Sequence, residues 1–580
     1  MRLLLGPPLL SAALLFTGCF PHRSPSRLRS FDTDYLDALF RFRPSLASRM
    51  GVHQYDGRLD DLSPLAVARR ADELGRLLIR LQTLQGAELG PEESAESKVL
   101  EYAIRGELAQ WSHFELWRKD PLLYLEVPLA ALDFLMTSDH APAAERLRAA
   151  VIAVNEMEAV MAALRGNVTG APAPLLAEAL DRGRRLEMLV GTDLREWARR
   201  TAVIDMTLQR SFETGSEFAL NAVRETLAWL RAEERAKGAG DGSLGAEGLM
   251  TRILLESMVE IRLSELEAMA EESWTKDAAA FERAAGEVAP GRGAHAALRA
   301  ALGAPVPEAE RLDLGRRAVD AVHAFVRRSG ILERPEELGG ESGLRLTIMP
   351  SYQRTVIDPY RLSPPLVREG SPPAAFWGLG AAEADWPAED AAALESQLSE
   401  PEIRLAAIHD VMPGLHLHAL RTAAYRSGLD RLPPERVLAD RITKEGWAHY
   451  AEQMLWEEGF DKGDGRLELL LWRRALVRDC RFAAGLRMHA RGMTLDDAAA
   501  MFRDRAFLPP AAAAGEARRV AADPLCLGEA LGKALILRLR EEVRRREGGA
   551  FRLSAFHEEF LRYAPLPLPL IRAALLADKP

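Results

Sequence analysis

Through most of the chain, apolar residues recur at i, i+3, i+4 and i+7, with arginine and glutamate alternating on the opposite faces. The pattern predicts helices over Leu65–Gln85, Ala95–Glu115, Ala143–Leu164, Leu175–Thr201 and Thr207–Lys237, then over Leu244–Glu287 and Glu308–Arg328. Helical patterning begins at Phe31, and the stretch R-P-S-L-A-S-R-M-G-V-H-Q-Y-D-G ends a helix at Gly51 and turns through Asp56-Gly57. The run Gly238 to Ser243 is the clearest connector, dividing a helical region 31–237 from a second one, 238–580. Between Leu344 and Pro387 the period changes. Leu344 to Pro350 alternates like a strand, prolines crowd the residues after it, and Phe376 to Leu379 reads as a second short strand. Helical patterning returns at Pro401, and no fixed-period repeat appears. The expected fold is mainly α: a large multi-helix body, elongated or two-lobed, with a small β element near residues 344–380.

Composition narrows the function classes. The 580 residues are 48% hydrophobic and 28% charged, as in ordinary globular proteins. A net charge of −10 with no basic block argues against a nucleic-acid partner. Three cysteines cannot make a disulfide scaffold. Cys480 and Cys526 read as buried thiols, with a disulfide between them left open. Cys19 has a separate reading. A charged start, an apolar run from Leu3 to Phe16 and then Thr17-Gly18-Cys19 form a secretory signal over residues 1–19, too short to span a bilayer. F-T-G-C looks like a bacterial lipobox, making Cys19 the lipidated first residue of the mature chain and residues 20–30 a tether. The alternative is secretion through an unlipidated signal. The expected location is the cell envelope, either outer-membrane anchored or periplasmic, with membrane contact through the lipid only.

Candidate chemistry concentrates between Ile408 and Glu452. His409, His416 and His418 crowd one segment of a chain holding twelve histidines, and Glu445 and Glu452 lie beyond them on a second helix. Two histidines and a glutamate can hold a zinc ion while leaving a position open for water. His409 and His416 are seven residues apart, roughly 10 Å along an ideal helix, which is too far for one ion. Pro413 lacks the N–H that would bond to His409, and Gly414 tolerates unusual dihedrals. A break at M-P-G is therefore expected to bring the second imidazole back towards the first. Each residue also has a plainer reading: the histidines as core residues, and Glu445 as half of a buried ion pair with an arginine such as Arg519. His418, His449, Glu452, His489 and Arg519 are candidates for a supporting layer around the site. His557 reads as a helix-start residue.

Beyond these patterns, the chain resembles the bacterial family known as domain of unknown function 885, whose members include secreted proteins and lipoproteins placed among zincin-like metallopeptidases. The family centre, H-E-x-x-P-G-H-H-L-Q and then E-G-W-A-L-Y-A-E, stands here as H-D-V-M-P-G-L-H-L-H and E-G-W-A-H-Y-A-E. The likeness extends to R-P-S-L-A-S-R-M-G-V-H-Q-Y-D, G-L-R-M-H-A-R-G-M-T around His489, A-D-P…G-K near Lys533 and F-H-E-E-F-L…P-L-P-L, covering nearly the whole mature chain. The resemblance implies a zincin-like body, with His409 and His416 as histidine ligands of zinc, Glu445 as the carboxylate ligand and Asp410 as the general base. The departures fall on the same residues. Asp410 is one methylene shorter than the family's glutamate, moving its carboxylate by about 1.5 Å, an error to which catalytic geometry is sensitive. Leu415 replaces the first of two adjacent histidines, His418 replaces a glutamine, and two tyrosines expected near Arg519 and Lys533 are absent. The leading expectation is an exported zinc-dependent hydrolase, peptidase-like, with a weakened site. The rival is a catalytically inactive helical envelope lipoprotein that binds a peptide or protein partner.

Overall fold

A computed structural model describes residues 27–577, apart from 86–88, 202–204, 237–241, 334–342, 369–370, 426–437 and 439. The signal, Cys19 and most of the expected tether lie outside the described residues, as do positions 238–241 of the connector. The described chain is 77% helical with one small three-stranded sheet, a mainly α fold. Its first helix, Arg27–Phe42, starts within the last residues assigned to the tether. No helix among the described residues is long and apolar enough to cross a membrane.

Where amphipathic periodicity is strong, helices stand close to their expected ends: Pro64–Gln85, Ala143–Asn167, Met206–Ala236 and Glu308–Ser329. Single expected helices divide elsewhere. The span from Leu244 becomes Gly245–Ser257 and Leu263–Val288, because Met258 takes a left-handed conformation at φ 58° and closes the first of them. The helix Leu122–Thr137 is not predicted by the pattern. Tyr124, Leu125, Val127, Leu129, Leu132, Phe134 and Leu135 are all buried, so it has no polar face to set against an apolar one, and Pro128 lies within it.

Strands β1 (Leu344–Ile348), β2 (Tyr360–Arg368) and β3 (Ser371–Leu379) form one sheet in the order β1-β3-β2. β1 runs parallel to β3, and β2 antiparallel to it. β2 is the strand the sequence conceals. Pro364 and Pro365 sit where its register with β3 slips, between Ser363 and Leu366, and it occupies a sheet edge, where prolines cost least.

Buried apolar side chains fall into two clusters. One runs from Leu28 to Leu230 and also takes in Tyr352; the other runs from Leu249 to Leu575 with Val99. Tyr352 comes after β1 yet packs in the first cluster, where its hydroxyl donates to Asp133 Oδ1 at 2.5 Å.

Six helices of the second cluster position the site: α1 (Glu400–Ala406), α2 (Leu415–Ala424), α3 (Arg441–Glu457), α4 (Gly465–Arg491), α5 (Pro510–Ala522) and α6 (Gly528–Glu547). α4 is central, packing against Leu263–Val288, α1, α3, α5 and α6. Asp440 caps α3 by accepting from Thr443 N at 2.7 Å, and Asp464 caps α4 through Arg466 N at 3.1 Å. α3 and α6 cross backbone to backbone. A Cβ added at Gly446 would lie 2.4 Å from Gly532 Cα, and one at Gly532 would lie 2.3 Å from Ile442 O. Only glycine at both positions allows this approach, which sets Glu445 and Glu529 beside the same space.

Candidate functional site

The break expected at M-P-G is present. After α1 the helix widens into a π-turn over Ala407–Val411, with Met412 N donating to Ala407 O at 3.0 Å, and the chain passes a cis Met412–Pro413 peptide. Gly414 N then donates to Ile408 O at 3.1 Å, and a Cβ on Gly414 would meet His409 O at 1.8 Å, so no other residue fits. Trp447 Nε1 from α3 donates to Pro413 O at 2.8 Å and pins the turn.

This turn does not deliver its two histidines to one point. His409 and Asp410 line a cleft of about 270 Å³ together with Glu445, Glu402, Glu516, Glu529, Asp358, Tyr360 and five arginines, 473, 474, 478, 481 and 519. His416 is not among the lining residues. It is buried near His323 on the helix Glu308–Ser329, and burial first, then that neighbouring imidazole, lower its pKa to about 4. Its Nδ1 has no hydrogen-bond partner among the described residues. Of His409, His416 and Glu445, the first and third line the cleft. Among the described residues, these three do not form a set of ligand atoms within 4.8 Å of one another.

His409 is held from behind. Its Nδ1 lies 2.7 Å from Glu452 Oε1 and 3.1 Å from Arg478 Nη2, while Arg478 itself donates to Glu452 Oε1 at 2.8 Å. A guanidinium only donates, so Nδ1–H donating to Glu452 is the arrangement that satisfies all three groups, and the ring's lone pair then lies on Nε2. Burial acts to raise the Glu452 pKa, but Arg478, Arg474 and His409 outweigh it and bring it to about 2. Glu452, expected as a supporting residue, thus orients His409.

Arg478 continues the chain of charges. Its Nε donates to Glu529 Oε2 at 2.6 Å, Arg481 Nη1 to Glu529 Oε1 at 2.5 Å, and Arg481 Nε and Nη2 bracket Glu516 at 2.8 and 2.7 Å. Arg473 and Arg474 share Glu402 at 3.2 and 3.3 Å. Arg519 pairs with Asp358, not with Glu445. Glu445 instead meets Lys444 at 3.1 Å; burial acts to raise its pKa, and Lys444, His409 and Arg441 outweigh it despite opposition from Glu529. Asp410 Oδ2 accepts from the indole of Trp377 on β3 at 2.8 Å, and burial raises its pKa.

The other candidate histidines stand apart from the cleft. His418 is buried, its Nδ1 3.5 Å from Thr422 Oγ1, and burial first and Lys444 second lower its pKa to about 3. His449 Nε2 faces Lys533 Nζ at 3.5 Å, and that lysine is bonded to Asp277 at 3.0 Å. His489 Nε2 bonds to Val520 O at 2.8 Å, a tie between α4 and α5. His557 is a core residue, bridging Ile331 O and the Tyr450 hydroxyl at 2.8 Å each. Cys480 and Cys526 are free, buried thiols.

Of the five cleft arginines, sequence reasoning named Arg519 and missed the four on α4. Arg474, Arg478 and Arg481 lie at i, i+4 and i+7 on α4, amid buried Leu470, Leu471, Leu476 and Phe482. Three cations at helical spacing, set among buried apolar residues, are the signal that locates them.

The residues present do not fit the zinc ion that the resemblance implies. Leu415 offers no ligand atom, His416 does not line the cleft, and a fixed guanidinium already neutralises the carboxylates nearest His409. Fold and site together define a class: a mainly α protein built around an arginine–carboxylate cleft. The chain belongs to the family described as bacterial protein of unknown function (DUF885), whose model matches residues 44–575. No curated protein matches it. Two solved structures are similar across 95% of the chain. One, from Shewanella oneidensis, is described as a putative lipoprotein of unknown function, with 20% identity, TM-score 0.75 and 100% of its own chain covered. The other is described as a putative lipoprotein from Colwellia psychrerythraea, with 15% identity, TM-score 0.77 and 99% covered.

Proposed function

We propose that this protein is an exported lipoprotein of the cell envelope whose cleft binds a peptide or protein segment without hydrolysing it. Supporting the export reading are the signal, the lipobox cysteine at Cys19 and the description of both similar structures as lipoproteins. The binding reading is carried by one observation: His416 lies outside the cleft while Arg478 braces His409 and Glu452. A hydrolytic zinc needs three protein ligands and an open position, and two ligands with an adjacent guanidinium do not provide them.

The cleft's chemistry favours a basic segment. Most of its carboxylates are matched by arginines, whereas Glu445, whose ion-pair partner is the part-exposed Lys444, and Asp410, held by the Trp377 indole, share one region with the Nε2 side of the His409 ring. An amino group or basic side chain placed there would meet two carboxylates and an imidazole acceptor in a site of reduced dielectric. The experiment is incubation of the full soluble chain with a mixed peptide pool, with and without added zinc, then mass spectrometry and affinity selection. Expected are intact peptides and retention of lysine- and arginine-containing ones, lost in Glu445→Gln. Zinc-dependent cleavage of the pool would overturn the reading.

A further inference from the structure

We propose that His53, Asp56 and His140 form a binding site for a divalent transition ion of the zinc type, separate from the cleft and independent of its function. Among the described residues, this is the only group of three or more ligand-type side chains whose donor atoms all lie within 4.8 Å of one another.

The donor spacing suits such an ion. His53 Nδ1 is 3.3 Å from Asp56 Oδ1, and His140 Nε2 is 2.8 Å from Asp56 Oδ2. Around a tetrahedral zinc with bonds of about 2.0–2.1 Å, neighbouring donors are about 3.3 Å apart. Two imidazoles and one carboxylate then leave a fourth position for water. The donor set, borderline nitrogen with one oxygen, favours zinc, cobalt, nickel or copper over magnesium or calcium.

The surroundings are also those of a built site. Ser138 Oγ meets the second nitrogen of His140 at 2.6 Å and can accept its N–H when Nε2 turns to a metal, and the Ser48 hydroxyl donates to Asp56. Among the described residues, no lysine or arginine forms an ion pair with Asp56. The turn carrying His53 and Asp56 is fixed by Gly57, at φ 84°, where a Cβ would lie 2.3 Å from Ala149 O of the helix Ala143–Asn167. The turn is thus anchored to that helix before any ion arrives.

One rearrangement is required. The two imidazoles stack at 4.3 Å with 6° between their planes, and parallel rings share no point lying in the plane of both. His140 is fixed, stacked on Phe134 at 5.0 Å with 5% of its side chain exposed, whereas His53 is 42% exposed. His53 therefore turns its ring to close on the ion. Once bound, the ion clamps the turn to residues 138–140, and Asp139 there pairs with Arg345 of β1 at 3.0 Å.

The test is titration of the full soluble chain, stripped by a chelator, with Zn²⁺ by calorimetry and with Co²⁺ by visible absorption. Expected are one ion per chain and tetrahedral cobalt bands. Uptake is lost in His140→Ala, reduced in the exposed His53→Ala, weakened about 10-fold in Ser138→Ala, and unchanged in Glu445→Gln. No uptake by the wild-type chain overturns the proposal, as does uptake that survives both histidine variants. Uptake lost only in Glu445→Gln overturns it too and assigns the ion to the cleft, a result that would also count against the non-metal reading of that cleft.

Discussion

Two histidine–carboxylate clusters in this molecule use the same pairing in opposite surroundings. At His409 the carboxylate partner, Glu452, is also gripped by Arg478, and the neighbouring Glu529 by Arg478 and Arg481. At His140 the partner Asp56 meets only the Ser48 hydroxyl and another imidazole. In the first, positive charge is built into the fold; in the second it has to come from outside. Residue type alone therefore does not mark a metal site. The deciding factor is whether a resident guanidinium has already taken the carboxylates, because a fixed cation a few ångströms away opposes the entry of another.

The largest effect expected from breaking this contrast is at Arg478. Arg478→Met leaves Glu452 and Glu529 buried with fewer partners and is expected to destabilise the protein by about 3–5 kcal/mol, read as a drop in urea midpoint. The N-terminal cluster has no equivalent dependence, so a chain unchanged by Arg478→Met would remove the distinction.

Acid comes next. His416, with its pKa lowered to about 4, stays neutral in the fold after the unfolded chain has begun to take up protons near 6.5. Stability present above pH 6.5 is accordingly lost as the pH falls towards 4. His416→Leu is expected to flatten that loss by on the order of 3 kcal/mol, measured as urea unfolding between pH 7 and 4. A second loss comes between about 4.5 and about 2, where the Glu452 carboxylate is protonated in the unfolded chain before the folded one.

Gly446→Val forces α3 away from α6 and is expected to cost about 2 kcal/mol, while zinc uptake through His140 persists. The smallest effect is at Trp377→Phe. Removing the indole donor from buried Asp410 is expected to cost about 1 kcal/mol in urea unfolding and to leave zinc uptake unchanged.

Much of the fold can be read in the sequence because it rests on one-sided helices: Pro64–Gln85 and Glu308–Ser329 end within a residue of their patterns. Elements without contrast are concealed. Leu122–Thr137 is buried nearly all round, and β2 carries two prolines at a slip in register. For the site, the order of motifs leads to the cleft and to His409, Asp410 and Glu445, and local chemistry accounts for the break at Pro413-Gly414. The placement of α2 after the break is not legible in this way, since it packs against β2, α3 and the helix Leu553–Arg562, which is distant in sequence. The N-terminal cluster escapes for a similar reason: His140 and Asp56 are 84 residues apart, and only the tertiary fold joins them.

Tyr352 has a practical bearing on how the molecule can be divided. A fragment ending near residue 237 would omit a phenol ring from its own interior and strand Asp133, which also accepts from Gln353 at 2.6 Å. Recombinant versions of the first half will therefore need the 351–353 segment supplied in trans or spliced back. Co-expressed halves should find each other through it.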